Sequence, residues 1–136
     1  MQCLYCQRVL KRKNYKYCSN QCQSDYRYKE YLQKWKANLV DGNRGKKSIL
    51  LSYHLRRYLL EKYEEKCCLC GWDKRHPVTG RVPLEVNHID GDSSNNEESN
   101  LQLICPNCHS LTVNFRNLNK GNGRAYRRKA ALQGAA

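Results

Sequence analysis

The chain is poor in the residues that build a hydrophobic core. Its 136 residues include one Phe, one Met and two Trp, and Leu, Ile, Val and Phe together fill only 26 positions. So little aliphatic surface in so short a chain cannot make a large core, and the fold needs another means of support. Acidic residues are also scarce, 12 against 25 Lys plus Arg, and none follows Glu98. No apolar run approaches the roughly 20 residues that span a bilayer. The opening residues, Met1 to Cys6, lack the apolar stretch of a signal peptide. These shortages exclude a large multidomain enzyme and a membrane span. They predict an intracellular protein whose cysteines stay reduced.

What is abundant is cysteine and positive charge. Low apolar content with a net charge of +13 would ordinarily read as disorder. The nine cysteines change that reading through their spacing. Cys3-x2-Cys6 is followed by Cys18-x3-Cys22, and Cys67-x2-Cys70 by Cys105-x2-Cys108. A CxxC knuckle presents two thiolates to one side of an ion, and two knuckles close a tetrahedral Zn(Cys)4 shell. A disulfide framework would not require paired spacings, and reduced cysteines favour metal. The sequence therefore predicts two structural zinc sites, with Cys68 left over. Two such sites would lower the net charge from +13 to about +9, still strongly basic.

That charge points to a polyanionic partner, most often nucleic acid. Nine basic and two acidic residues lie in 1–36, and six basic residues follow Glu98. Lys11, Arg12, Lys13 and Lys16 in the first cysteine unit, Arg56 and Arg57 further on, and Arg124, Arg127 and Arg128 near the end are candidate phosphate contacts. Any of them can equally be a solvated surface charge. The basic stretches lack an adjoining apolar face, which speaks against a membrane surface.

Along the chain, 1–36 reads as a four-cysteine unit plus a helix, with Tyr28, Leu32 and Trp35 at helical spacing. Residues 37–47 read as a linker. Residues 48–66 read as a helix capped by Ser48, with Leu51, Leu55 and Leu59 on its inner face and His54 on its surface. From Cys67 to 116 come a knuckle, a turn at Thr79-Gly80, an extended run over 82–88, a loop over 90–100, and a short helix from Pro106 carrying His109, Leu111, Thr112 and Val113. Residues 117–136 read as a basic, flexible tail.

Two histidines stand out. His88 ends the extended run, and His109 directly follows the cysteine of a completed quartet, so it is spare for a second metal. Each has a plainer reading: His88 as a strand-end histidine with a satisfied hydrogen bond, His109 as a substitute zinc ligand. Asp90, Asp92, Asn95 and Asn96 are turn-forming types, and Asn100 could cap or turn.

The run Leu84-Glu85-Val86-Asn87-His88-Ile89-Asp90-Gly91-Asp92, then Asn95-Asn96, Ser99-Asn100-Leu101 and Leu103-Ile104-Cys105-Pro106-Asn107-Cys108-His109, resembles the HNH endonuclease family, in the form with paired CxxC knuckles. The signature letters fall on His88, Asn100 and His109. The resemblance implies a small, zinc-stabilised α+β protein with a ββα-metal, treble-clef-like nuclease core, here extended by an N-terminal four-cysteine zinc unit and helices. It implies that His88 is the general base, that His109 ligates a catalytic Mg2+ or Mn2+, and that Asn100 braces the loop and orients His88 by hydrogen bonding. It implies hydrolysis of double-stranded DNA to 5′-phosphate and 3′-hydroxyl ends, in a bacterial cytoplasm or a phage-infected cell. Where the family often has a metal-binding Asp, this chain has Asn87, whose amide oxygen can ligate a hard cation but brings no charge. Asp90 is a nearby carboxylate that could compensate. A homodimer would cut both strands and a monomer would nick; the sequence accommodates either. It also accommodates a non-catalytic zinc nucleic-acid-binding protein on the same scaffold, or an RNA nuclease.

Overall fold

The computed structural model describes residues 1–45, 48 and 50–119. The chain divides into two compact units, Met1–Val40 and Asp41–Ala136.

In the first unit, an isolated bridge between Gln2 and Val9 folds the first knuckle back on itself. The Gln7 N–H donates to the Cys3 carbonyl, with Gln7 in the left-handed region at φ 63°. Helix α1, Asn20–Lys36, starts where the Ser19 hydroxyl accepts the Cys22 N–H at 3.1 Å. Such a cap satisfies one of the orphan donors of a helix start, and here it also fixes the backbone of a quartet cysteine. Tyr28 and Trp35, two turns apart, are the buried side chains of α1. Asn38, at φ 60°, closes the helix in the left-handed conformation that Asn tolerates.

In the second unit, helix α2 is Tyr53–Lys62, shorter than the sequence suggests. Ser52, not Ser48, supplies the cap, accepting the His54 N–H at 3.2 Å. Leu51 lies outside the helix and bridges Asn43 instead. Residues 41–45, read as linker, therefore belong to the second unit. His54, placed on the surface by its periodicity, is half-buried. Burial and the neighbouring Arg57 charge hold its pKa below the ordinary value.

Strand β1, Glu85–His88, pairs antiparallel with β2, Leu101–Ile104, in the register Glu85 to Ile104 and His88 to Leu101. The Glu98–Asn100 stretch of the connecting loop is a 3-10 turn. Leu55 and Leu59 of α2, with Val82, Leu84, Leu101, Leu103 and Ile104, form a small buried core. Three ties hold α2 in place: Arg56 donates to the Leu84 carbonyl at 3.0 Å, while Tyr58 and Lys62 donate to the Glu98 carboxylate at 2.6 and 3.0 Å. Helix α3 is Pro106–Ser110, only five residues long. It carries His109 but ends before Leu111, Thr112 and Val113, and Leu111 and Val113 are exposed. Their apolar spacing has no buried surface to face. Arg116–Asn119 is a further 3-10 turn. The later tail residues, Arg124, Arg127 and Arg128 among them, lie outside the described residues. No helix among the described residues is long and apolar enough to cross a membrane.

Candidate metal centres and nuclease site

The two cysteine quartets assemble as their spacing predicts. In each, Cys3, Cys6, Cys18 and Cys22, and Cys67, Cys70, Cys105 and Cys108, all four sulfurs lie within 4.8 Å of one another. Zinc bonds of about 2.3 Å in a tetrahedron put sulfurs about 3.8 Å apart. The Cys6–Cys18, Cys18–Cys22 and Cys70–Cys105 separations are 3.4, 3.4 and 3.7 Å. Both quartets thus fit one ion of zinc's size and preference. Their knuckles share a local design: the Gly71 N–H donates to the Cys67 carbonyl as Gln7 does to Cys3, and Gly71 is also left-handed, at φ 78°. Crowding shows in the acidities. Burial pushes Cys3 and Cys67 up, but backbone hydrogen bonds outweigh it and bring each to about 6. Hydrogen bonds to neighbouring sulfurs push Cys18 and Cys108 up to about 12. Four thiolates this close cannot all ionise without a cation among them. Cys68 stays outside both quartets. Its N–H donates to the Leu103 carbonyl, extending the β2 edge, and burial raises its thiol pKa.

The second quartet also positions His109. The Cys105 sulfur accepts the Cys108 N–H at 3.4 Å and caps α3, while the Cys105 carbonyl accepts the His109 N–H at 2.9 Å. Phe115, the chain's one Phe, packs edge-on against the His109 ring at 5.2 Å. The His109 Nδ1 meets the Glu85 carboxylate. Side chains alternate along a strand, so Glu85 and Asn87 share one face of β1 and His88 takes the other. Asn87 is opposite Gln102, and its Nδ2 donates to Gln102 Oε1 at 3.2 Å, so its carbonyl oxygen is the atom that could hold a cation.

His88 is held by a residue that composition marked only as turn-forming. Its Nε2 lies 2.8 Å from Asn96 Oδ1. Asn96 is buried, and its Nδ2 donates to the Asp41 carbonyl at 2.9 Å and to Asn43 Oδ1 at 3.0 Å. Two acceptors on the nitrogen side fix the amide's orientation. The oxygen facing His88 accepts, so Nε2 carries a hydrogen, and in the neutral ring Nδ1 then carries the lone pair. Gly42 completes this arrangement. A Cβ there would meet Asn96 Cβ and Leu55 Cδ1 at 2.8 Å, and Gly42 has φ +82°. Gly42→Ala is expected to cost about 1–3 kcal/mol of stability through strain and overpacking. Chemical denaturation checks that loss.

Asn100 braces the loop but does not reach His88. Its Oδ1 accepts the Asp90 N–H at 2.9 Å, and its Nδ2 donates to Asp90 Oδ1 at 2.9 Å and to the Asn95 carbonyl at 2.8 Å. The side chain that bonds His88 is Asn96, eight residues along. Asp90 is likewise committed to the loop, accepting from Asn95 Nδ2 at 2.7 Å and the Asp92 N–H at 2.8 Å. Burial raises its pKa, but the hydrogen bonds from Asn95, the Asp92 N–H and Asn100 offset that and hold it below the usual carboxylate value. Among the candidate phosphate contacts, Lys11, Arg12, Lys13 and Lys16 are exposed, with Arg12 stacked over Tyr15. Arg56 is partly buried on the Leu84 carbonyl, and Arg57 pairs with Glu61 at 3.0 Å. Sequence reading missed Asn96 and Glu85, because neither is marked by spacing; both are defined by partners brought in by the fold.

Residues 67–114 match the family model described as HNH endonuclease. A curated relative, H-N-H endonuclease F-TflIV of Escherichia phage T5, is 40% identical over 76 residues, which are 54% of this chain and 33% of that protein. The chain thus matches about a third of that relative's length. No solved structure matches the chain. The match falls on the hairpin, the loop and the short helix after the second knuckle, so residues 67–114 are similar to HNH endonuclease domains.

Proposed function

We propose that this chain is a metal-dependent endonuclease that hydrolyses phosphodiester bonds in double-stranded DNA. The observation that supports the reading is the 2.8 Å contact of His88 Nε2 with the buried Asn96 amide oxygen, an arrangement that, in the neutral ring, gives Nδ1 the role of proton acceptor. Neutral imidazole near pH 7 suits a general base. His88 Nδ1 takes a proton from a water whose oxygen forms the new bond to phosphorus, while the P–O3′ bond breaks and the 3′ oxygen takes a proton from solvent. His109 and the Asn87 carbonyl would hold a divalent ion, Mg2+ or Mn2+. Such an ion, when bound, would neutralise the negative charge that builds up on the phosphate as the bond breaks. The quartets hold structural Zn2+, whose closed thiolate shells leave no open position for chemistry. The exposed Lys11, Arg12, Lys13 and Lys16, with Arg124, Arg127 and Arg128, contact phosphates. Arg56 and Arg57 offer only what their internal bonds leave.

The test is conversion of supercoiled plasmid by zinc-loaded protein with Mg2+, Mn2+ or no added metal, beside single-stranded DNA and RNA. Metal-dependent nicking or linearisation of the duplex is expected, and the ratio of the two products reads whether one protomer or two act. Salt-sensitive plasmid binding with no cleavage under any metal would replace the nuclease with a binding protein.

Asn96 is a positioning residue in this scheme. Asn96→Ala should lower the cleavage rate about 10–100-fold, the range for groups that orient active imidazoles in metal sites. The acid limb of the pH–rate profile should shift as well, because Nε2 loses its acceptor. Rate measured across pH, with zinc content held as control, checks this.

A further inference from the structure

An ion held only by Asn87 and His109 would have no charged protein ligand. Hard divalent cations are ordinarily bound through one or two carboxylates. Two carboxylates lie close to the signature residues. Asp90 is turned into its own loop by Asn95, Asn100 and the Asp92 N–H. Glu85 is placed differently. It stands two residues before Asn87 on the same face of β1, and its Oε2 meets the Nδ1 of His109. Its side chain is half exposed, open to an ion and to a phosphate.

We propose that Glu85 is a ligand of the catalytic divalent ion, supplying from two positions upstream the negative charge that Asn87 lacks. The inference rests on the nuclease reading above. The three donors are then the Glu85 carboxylate, the His109 Nδ1 and the Asn87 carbonyl oxygen. Each comes from an element already fixed: β1 by its register with β2, and His109 by the quartet cap on α3.

A rival role for Glu85 is to orient His109 alone, as a carboxylate behind a metal-bound imidazole commonly does. The two roles separate in a double-mutant cycle. The full-length, zinc-loaded protein is titrated with Mn2+ without DNA, and free Mn2+ is read by its electron paramagnetic resonance signal. Wild type should bind one Mn2+, and Glu85→Gln should weaken binding at least about tenfold with zinc content unchanged. In a His109→Ala background, Glu85→Gln should weaken it further, because the carboxylate touches the ion itself. Asn87→Asp added to Glu85→Gln should recover most of the affinity, since the charge returns to the same ion. A Glu85→Gln variant that binds as wild type does would overturn the inference and leave the nuclease reading standing. So would a cycle in which Glu85→Gln has no effect once His109 is gone. Wild-type protein that binds no Mn2+ and cleaves nothing would sink the nuclease reading and this inference together.

Discussion

His88→Ala is expected to reduce plasmid cleavage by about 10²–10⁴-fold, the usual contribution of a positioned general base. The residual rate would come from duplex binding and charge neutralisation, which do not depend on the imidazole. The substitution removes no quartet cysteine and no core side chain, so both zinc equivalents and the folded state should persist. Asn96 loses the His88 partner but keeps the Asp41 carbonyl and Asn43. Single-turnover cleavage at saturating metal is the measurement, with zinc content and thermal unfolding as controls. A His88→Ala protein that cuts at the wild-type rate would remove His88 from the chemistry. A protein that fails to cut and has also lost zinc would show that the imidazole is structural.

The second large effect is on folding. Stripping metal with a strong chelator, or replacing Cys105 by Ser, should unfold the second unit. Zinc binding in small metal-dependent folds amounts to roughly 10–16 kcal/mol and is inseparable from folding energy. That outweighs what the short list of buried apolar residues here can supply alone. Cys105 is the most informative position. Its sulfur belongs to the quartet and caps α3, and its carbonyl holds the His109 N–H. Losing the ion there should release α3 and displace His109 from Glu85. Cys68→Ser should keep both metals, because Cys68 belongs to neither quartet. Metal content by mass spectrometry, with circular dichroism, separates the two variants. Acid should act like the chelator, since protons compete with metal for thiolates.

Several parts of this molecule were legible without a fold. The quartets follow from spacing because a CxxC knuckle is a local turn, and tetrahedral coordination dictates how many knuckles must meet. Helix α1 was legible because Tyr28 and Trp35 repeat on one face over a long stretch. Helix α2 was overestimated for the same physical reason. Leu51 fits the helical period, but its backbone bridges Asn43, and only that tertiary pairing ends the helix at Ser52. Leu111 and Val113 also fit a helix, which stops at Ser110 because α3 is organised by the Cys105 cap rather than by burial.

The sequence by itself determined the two cysteine quartets, the basic charge and the hairpin–loop–helix that carries His88, Asn100 and His109. These depend on short-range spacing and on residue chemistry. The tertiary structure decided which side chains those residues answer to. Asn96 reaches His88 because the segment at Asp41 to Asn43 folds back to hold its amide. Glu85 meets His109 because strand register and the cysteine cap bring β1 and α3 together. Contacts made by register and loop closure leave no periodic trace in the chain, so turn-forming asparagines and an ordinary surface glutamate gave no sign of them.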